Sequence, residues 1–145
     1  MRVRDIMTRH VETIDMHETA ETAWNQMKAR RIHHLVVKSG SEIVGVLSAR
    51  DLQGKDREEF RKSHKVLAVM TPYAVKARPD MPVRQAANLM RGWTIGSLPV
   101  IEDGRLVGII TVSDLLELIG RGGERPERRT LRRRAPRVSS RKPRA

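Results

Sequence analysis

The chain has 145 residues, of which 39% are hydrophobic and 32% charged, enough for one domain or two very small ones with a modest apolar core. It has no cysteine, which excludes disulfides, zinc–thiolate sites, iron–sulfur clusters and thiol nucleophiles. No apolar stretch reaches the ~18 residues of a membrane-spanning helix, and the first residues lack the apolar run of a secretion signal. We therefore expect a cytoplasmic protein without a membrane partner.

The formal net charge of +12 is concentrated at the C-terminal end of the chain. Residues 121–145 contain ten arginines and one lysine against two glutamates, a net charge of +9, which leaves +3 for residues 1–120. A nearly neutral body argues against a folded nucleic-acid-binding domain with a basic face. Gly, Pro, Ser and Arg dominate residues 121–145, so we predict a disordered basic tail there. Two interpretations of the tail stay open, a binder of nucleic acid or another polyanion and a solubilising extension.

An internal repeat organises the rest of the sequence. A shift of 63 residues aligns residues 3–52 with residues 66–115 without a gap, and 13 of the 50 aligned positions are identical. The identities include Met7-Thr8 with Met70-Thr71, Val44-Gly45 with Val107-Gly108, and Asp51-Leu52 with Asp114-Leu115. We divide the chain into a first repeat (1–54), a charged connector (55–65), a second repeat (66–120) and the tail (121–145).

The first repeat predicts a strand, a helix, two strands and a last helix, in that order. The helix carries Ala20, Ala23, Trp24 and Met27 at the spacing of one buried stripe. In chain order the predicted elements are a strand over Val11–Ile14, a helix near Thr19–Arg30, strands over Leu35–Lys38 and Ile43–Leu47, and a helix after Ser48. The connector that follows is highly charged and is predicted to be helical.

The second repeat predicts the same β-α-β-β-α order. Pro82 suits the first turn of its helix, where the missing N–H is not needed, and Gly104 suits the turn between its last two strands. The predicted elements are a strand over Ala74–Ala77, a helix near Pro82–Gly92, strands over Leu98–Ile101 and Leu106–Ile110, and a helix after Thr111. A repeat of this size cannot bury its sheet face well alone. We therefore predict an α+β fold in which the two repeats pack with pseudo-two-fold symmetry and create two related clefts.

The repeats resemble CBS domains, the family named after cystathionine beta-synthase. The resemblance rests on Met-Thr at the start of each repeat, on Leu98–Ile101, and on the segments Val44–Leu52 and Val107–Leu116. Two copies in tandem resemble a CBS pair, or Bateman module, over residues 1–120. This resemblance implies a regulatory module that binds an adenosine-containing ligand such as AMP, ADP, ATP, S-adenosylmethionine or NAD. It also implies a homodimer and a separate, unknown regulated protein partner.

The resemblance also implies which residues contact the ligand. In the family's G-h-h-[ST]-x-x-D element the hydroxyl meets a phosphate and the Asp holds the ribose, which assigns Ser48 and Asp51 to one cleft and Thr111 and Asp114 to the other. The chemistry is sound, because an ionised carboxylate accepts two hydrogen bonds from a cis-diol and a helix N-terminus favours a phosphate. The apolar residues expected to wall the adenine are Val11, Ile32, Leu35, Ala74, Ile95, Leu98 and Pro99.

The two repeats differ where basic residues of some family members meet the phosphates. The first repeat has His33 and His34 there, whereas the second has Gly96 and Ser97. We therefore expect asymmetric sites, with the charged ligand nearer the histidines. Adjacent histidines lack the i, i+4 spacing of a helical metal site, so no metal is expected.

Other interpretations of these motifs remain open. Each [ST]-x-x-Asp element also fits an N-cap with a carboxylate at the third helical position, a purely structural role that is compatible with ligand contact. No P-loop, nucleophile elbow or His-Glu-x-x-His motif occurs, so we expect no enzyme and no catalytic cofactor. The alternative function is a ligand-free dimerisation scaffold whose basic tail binds nucleic acid or another polyanion.

Overall fold

The structure, a computed structural model, describes residues 1–72 and 75–122. It mixes helices and strands in an α+β fold, and each repeat contributes a β-hairpin with helices against it. The elements are α1 (Val3–Ile6), β1 (Thr13–Asp15), α2 (Ala20–Arg30), β2 (His34–Ser39), β3 (Glu42–Ser48), α3 (Glu58–Ser63), α4 (Val66–Val69), β4 (Thr71–Pro72), α5 (Val83–Trp93), β5 (Ser97–Glu102), β6 (Arg105–Thr111) and α6 (Val112–Gly120). Two 3-10 turns, Ala49–Asp51 and Lys55–Arg57, lie between β3 and α3.

The hairpins β2–β3 and β5–β6 are the equivalent centres of the two repeats. Strand β1 runs parallel to β2, β3 is antiparallel to β2 and β4, and the resulting sheet has the order β1-β2-β3-β4. In the second repeat β5 and β6 pair antiparallel, with the register shift between Val100 and Ile101 that the first repeat has between Val37 and Lys38. The predicted repetition of the fold is therefore confirmed at the level of strand register.

Helices α2 and α5 form where the apolar stripe predicts them. The Thr19 hydroxyl caps α2 by accepting a hydrogen bond of 3.1 Å from the Thr22 N–H. Pro82 lies at the N-cap of α5, one position earlier than predicted. Each helix ends at a residue in the left-handed region, Arg31 with φ 58° and Thr94 with φ 54°, and these two residues are 63 positions apart.

The structure differs from three of the predicted elements. Strand β1 begins two residues later than predicted. The strand predicted over Ala74–Ala77 is wrong over its described part, because only Ala77 forms a bridge, to Val100; Ala74 itself lies outside the described residues. The helix predicted after Ser48 is only a 3-10 turn, since Gly54, at φ 129°, turns the chain before a regular helix can develop.

The opening segments of the two repeats are exchanged. The Val3 N–H donates to the Met81 carbonyl at 2.8 Å, and Thr8 bridges to Ile109, so the start of the chain joins the second repeat. At the equivalent positions Val66 donates to Glu18 at 2.8 Å and Thr71 pairs with Val46. Each Met-Thr element therefore completes the other repeat, a connection that sequence periodicity alone does not reveal.

The Val-Gly pair of each repeat provides the space for this exchange. A Cβ built on Gly45 would lie 2.6 Å from the Thr71 carbonyl oxygen and 2.7 Å from the Met70 sulfur. A Cβ on Gly108 would lie 2.9 Å from the Thr8 oxygen and 2.8 Å from the Met7 sulfur. Glycine is required at both positions because the exchanged backbone passes where a side chain would begin.

Buried apolar side chains form one cluster in each repeat and a third between the sheets. The first-repeat cluster contains Ile14, Ala20, Ala23, Met27, Leu35, Val37, Leu47, Leu52 and the exchanged Val66. The second-repeat cluster contains the exchanged Val3, Ile6 and Met7 with Ala77, Ala86, Met90, Leu98, Val100 and Ile110. The third cluster, Val36, Val46 and Ile109, joins the two sheets face to face. The predicted pseudo-two-fold packing of sheet on sheet is confirmed.

The connector helix α3 is attached to the first repeat by one buried arginine. Arg61 is only 5% exposed; its guanidinium donates to the Glu21 carboxylate at 2.8 Å and to the Leu52 and Gly54 carbonyls at 2.7 and 3.1 Å. It also lies 4.7 Å from the centre of the Trp24 ring. Through these contacts α3 packs against the outer face of α2. Almost all of the predicted tail, residues 123–145, lies outside the described residues.

Candidate functional site

The first site forms where β3 ends. The Ser48 N–H and hydroxyl both donate to the same Asp51 carboxylate oxygen, at 3.2 and 3.1 Å. His34 is the cross-strand partner of Ser48 in the β2–β3 pairing, and the Ala49 N–H donates to the His33 carbonyl at 2.8 Å. The strand pairing therefore places His34 beside the Ser48–Asp51 pair at one end of the hairpin, and a ligand-binding role for these residues stays a prediction.

The two histidines of this site have different environments. His33 is exposed and His34 is half-buried. Burial lowers the pKa of His34 below its usual value, and the neighbouring His33 lowers it further, while the Asp51 carboxylate opposes both effects. Burial and His33 therefore disfavour the protonated form of His34.

The second site repeats the geometry with a tighter cap. The Thr111 N–H and hydroxyl donate to one Asp114 carboxylate oxygen at 2.8 and 3.1 Å, and the Asp114 N–H donates back to the Thr111 hydroxyl at 3.2 Å. This reciprocal cap begins the regular helix α6. Ser97, buried, stands opposite Thr111 in the strand pairing, and the Val112 N–H donates to the Gly96 carbonyl. The capping role is thus complete at the second site, whereas at the first the Asp51 carboxylate accepts from the Ser48 N–H at the start of a 3-10 turn.

The apolar residues predicted to wall the ligand are distributed over several places. Val11 packs against the cluster between the sheets, and Pro99 is fully buried. Ile32 and Ile95 are half-buried at equivalent positions beside the two repeat clusters. Leu35 and Leu98 lie inside those clusters with no exposed surface, so their position differs from the expected adenine wall: alternation along a strand turns their side chains toward the helices. Ala74 lies outside the described residues.

Arg57 lies beside the first site, a position that no sequence motif predicts. One terminal nitrogen of its guanidinium donates to the Asp51 carbonyl at 3.4 Å, and the guanidinium lies 4.2 Å from the centre of the Phe60 ring. Within residues 1–72 and 75–122, its Nε is buried without a hydrogen-bond partner. The one sequence feature that could indicate this role is a difference between the repeats, since the position equivalent to Arg57 is Gly120.

Residues 1–72 and 75–122 differ from metal-binding and membrane-spanning proteins in two respects. Across them, no group of three or more acidic or histidine side chains is arranged to hold a metal ion. Among the helices described, none is long and apolar enough to cross a membrane. A concavity of about 490 Å³ lies on the outer side of α5, and none of its lining residues belongs to the predicted ligand sites; they are Pro82, Arg84, Gln85, Asn88, Leu89, Gly92 and Trp93.

Comparison with known proteins identifies the family. The family model of the CBS domain matches twice, over residues 3–56 and 66–121. A CBS domain-containing protein of Dictyostelium discoideum is 35% identical over 130 residues, covering 81% of this chain and 90% of that protein. The chain belongs to the CBS domain family, and its two repeats form a CBS pair.

Other relatives are much longer than this chain. Homoserine O-acetyltransferase of Methanohalobium evestigatum is 35% identical over 119 residues, which are 81% of this chain and only 24% of that enzyme. The similarity to enzymes of this kind is therefore confined to a part of their length.

Solved structures share the whole fold. A CBS domain pair in complex with 5′-methylthioadenosine and S-adenosyl-L-methionine matches with a TM-score of 0.72 and 25% identity, over 84% of this chain and 98% of that one. A hexameric CBS-CP12 protein from bloom-forming cyanobacteria matches with a TM-score of 0.72 and 27% identity, over 82% of this chain and 70% of that one. The arrangement of two repeats described above is therefore shared with a ligand-binding pair.

Proposed function

We propose that this CBS pair is a regulatory module, without a reaction of its own, that binds an adenosine-containing ligand and acts on a separate protein. The observation that carries the proposal is the duplicated constellation Ser48–Asp51 and Thr111–Asp114, each facing the first residue of the neighbouring strand. A carboxylate beside a hydroxyl suits a ribose next to a phosphate; the pair lies at the N-terminus of α6 in the second site and at a 3-10 turn in the first. The similarity to a CBS pair with adenosyl ligands bound supports the same ligand class.

The two sites are proposed to prefer different ligands. The first, with His33, His34, Ser48 and Asp51, favours a phosphorylated ligand such as AMP, ADP or ATP. The second has Ser97 in place of the imidazole and suits a ligand with less phosphate, such as S-adenosylmethionine; NAD remains a candidate for either. Regulation follows if the ligand-bound and ligand-free forms differ in affinity for the partner, because a ligand shifts an equilibrium only by its differential affinity.

Thermal unfolding of the full chain with AMP, ADP, ATP, S-adenosylmethionine and NAD tests this function. A ligand at 100 times its dissociation constant stabilises the folded protein by about 2.7 kcal/mol, a shift of several degrees in Tm. Asp51→Asn or Asp114→Asn should abolish the shift for the ligand of that site, because asparagine preserves the cap but loses the charge that binds the ribose. Asp56→Asn, an exposed carboxylate on the connector, is the matched control and should leave every shift unchanged.

Absence of any shift at millimolar ligand would overturn the sensor proposal and favour the ligand-free scaffold with a basic arm. That scaffold predicts nucleic-acid binding that weakens steeply with salt and is lost on truncation after Gly120. Binding to the tail and binding to the ligand sites are therefore separable in one set of variants.

We further propose that the module is a homodimer that pairs through the outer face of the second repeat. Helix α6 exposes Val112, Leu116 and Ile119, at 43, 62 and 71%, in a row with helical spacing, and Trp93 at the end of α5 is 55% exposed. At the equivalent positions the first repeat has Ala49, Gln53 and Asp56, which do not form an apolar row. The oligomeric CBS structure with the same fold supports self-association.

Light scattering of the purified chain measures this association. Leu116→Lys should convert a dimer to a monomer, since it places a charge at the centre of the apolar row. Leu67→Lys, at a leucine 46% exposed on α4, is the control and should leave the mass unchanged. A wild-type mass of one chain at micromolar concentration would contradict the proposal.

A further inference from the structure

The two ligand sites differ in one side chain at a defined place in the strand pairing. His34 stands directly opposite Ser48 at the start of β2, and Ser97 stands directly opposite Thr111 at the start of β5. The hydroxyl and carboxylate of each site have the same arrangement, within a few tenths of an ångström. The two sites therefore share a hydroxyl and a carboxylate and differ in one side chain, a titratable imidazole in the first and a serine hydroxyl in the second.

The surroundings of His34 oppose a positive charge in the absence of ligand. Its side chain is half-buried; His33 precedes it on the chain, and the carboxylate of Asp51 lies on the turn that follows β3. These two are the titratable groups of the described residues that act on it, and burial together with His33 outweighs Asp51. The same carboxylate repels an anionic ligand; the permanent charge of Arg57, which donates to the Asp51 carbonyl at 3.4 Å, offsets part of this repulsion, and a proton on His34 would offset more.

We infer that a phosphorylated adenosyl ligand enters the first site together with a proton, which His34 accepts, whereas the second site binds its ligand without proton uptake. This inference rests on the proposed function and names how its first site is regulated. Protonation gives the imidazole a second N–H donor and a full positive charge, and it breaks no bond. The incoming phosphate thereby obtains a charge-assisted donor close to a carboxylate that accepts from the ribose.

The sign of the resulting pH dependence follows from the proton count. Because the bound state holds one proton more than the free state, affinity for ADP increases as pH falls, by at most tenfold per pH unit. The effect is present between the lowered pKa of His34 in the free protein and its raised pKa in the complex. A neutral ligand such as 5′-methylthioadenosine offers no anion to the imidazole, and its affinity should not follow this dependence.

Calorimetric titration of the full chain with ADP at pH 7, in two buffers of different ionisation enthalpy, measures the protons taken up on binding. The terminal phosphate of ADP also titrates in this range, and comparison of wild type with His34→Ser cancels its contribution. Wild type should take up more protons than His34→Ser, and its affinity should increase more steeply from pH 8 to pH 6. Serine is accommodated at this place in the second repeat, and His34→Asn is a second variant should the first fold poorly.

Two controls complete the experiment. His17→Ser removes an exposed imidazole between β1 and α2, outside both sites, and should retain the proton uptake, and 5′-methylthioadenosine should show none. Equal proton uptake by wild type and His34→Ser, with ADP bound, overturns the inference and leaves the proposed function standing. ADP binding that survives Asp51→Asn but is lost in Asp114→Asn also overturns the inference, because ADP then binds at the second site. If AMP, ADP and ATP all fail to bind, the inference is overturned together with the phosphate-binding role of the first site.

Discussion

At the scale of single residues, Gly45 shows how strictly the exchange of segments constrains the chain. Gly45→Ala would place a Cβ 2.6 Å from the Thr71 carbonyl oxygen, an atom that cannot move without disturbing the β3–β4 pairing. We expect a loss of about 1–3 kcal/mol of folding free energy, measured by denaturant unfolding. Gly92→Ala is the matched control: among the described residues, nothing beyond its chain neighbours and the backbone of α5 lies within 4 Å of its Cβ, and alanine in α5 should stabilise by about 0.5–1 kcal/mol.

The lowered pKa of His34 predicts that the stability of the fold depends on pH even without a ligand. Its pKa in the folded protein is lowered, mainly by burial, so the unfolded chain binds a proton more readily than the folded one. His34 therefore does not lower the free energy of unfolding above about pH 6.5, and it lowers that free energy as pH falls below this value. Tm should decrease more between pH 7.5 and pH 5 in wild type than in His34→Ser. An equal decrease in both would show that other groups govern acid stability.

At the scale of elements, helix α3 depends on Arg61 more than on its many exposed charges. Arg61→Ala would leave the Leu52 carbonyl and the Glu21 carboxylate without their partner in a largely buried place. We expect a loss of about 3 kcal/mol, measured by chemical unfolding. Lys62→Ala breaks the exposed ion pair with Glu58 next to it and should cause no measurable change. Comparable effects of the two substitutions would mean that α3 is not attached through Arg61.

Some of these elements can be predicted from the sequence and others cannot. Helices α2 and α5 and both hairpins follow from apolar periodicity, and the cap at Thr111 follows from its motif. The motif at Ser48 does not predict a 3-10 turn, because the same motif starts a regular helix in the second repeat. The difference arises from Gly54, three residues beyond Asp51. Arg57 was not recognised either, since its proximity to Asp51 depends on the path of the connector. Chain-local patterns reveal elements, but contacts between segments far apart in sequence require the tertiary structure.

At the scale of the whole molecule, we expect the two repeats to unfold as one cooperative unit. Ile6 lies in the cluster of the second repeat and Val66 in that of the first, so each repeat lacks part of its core without the other. Ile6→Ala should cost about 2–5 kcal/mol and should lower a single unfolding transition reported equally by probes in both repeats. Two separate transitions, with only the later one shifted, would contradict this coupling.

The exchange of opening segments also has a consequence for synthesis on the ribosome. Helix α1 emerges first, but the strand β6 against which Thr8 pairs is among the last elements to be made. Translation at about 5–20 residues per second separates these two events by roughly 100 residues, or about 5–20 s. During that interval the apolar side chains of Val3, Ile6 and Met7 have no native partner, and a chaperone or a neighbouring nascent chain has time to bind them. The first repeat can be completed once α4 and β4 have been made, whereas the second repeat is completed only after β6.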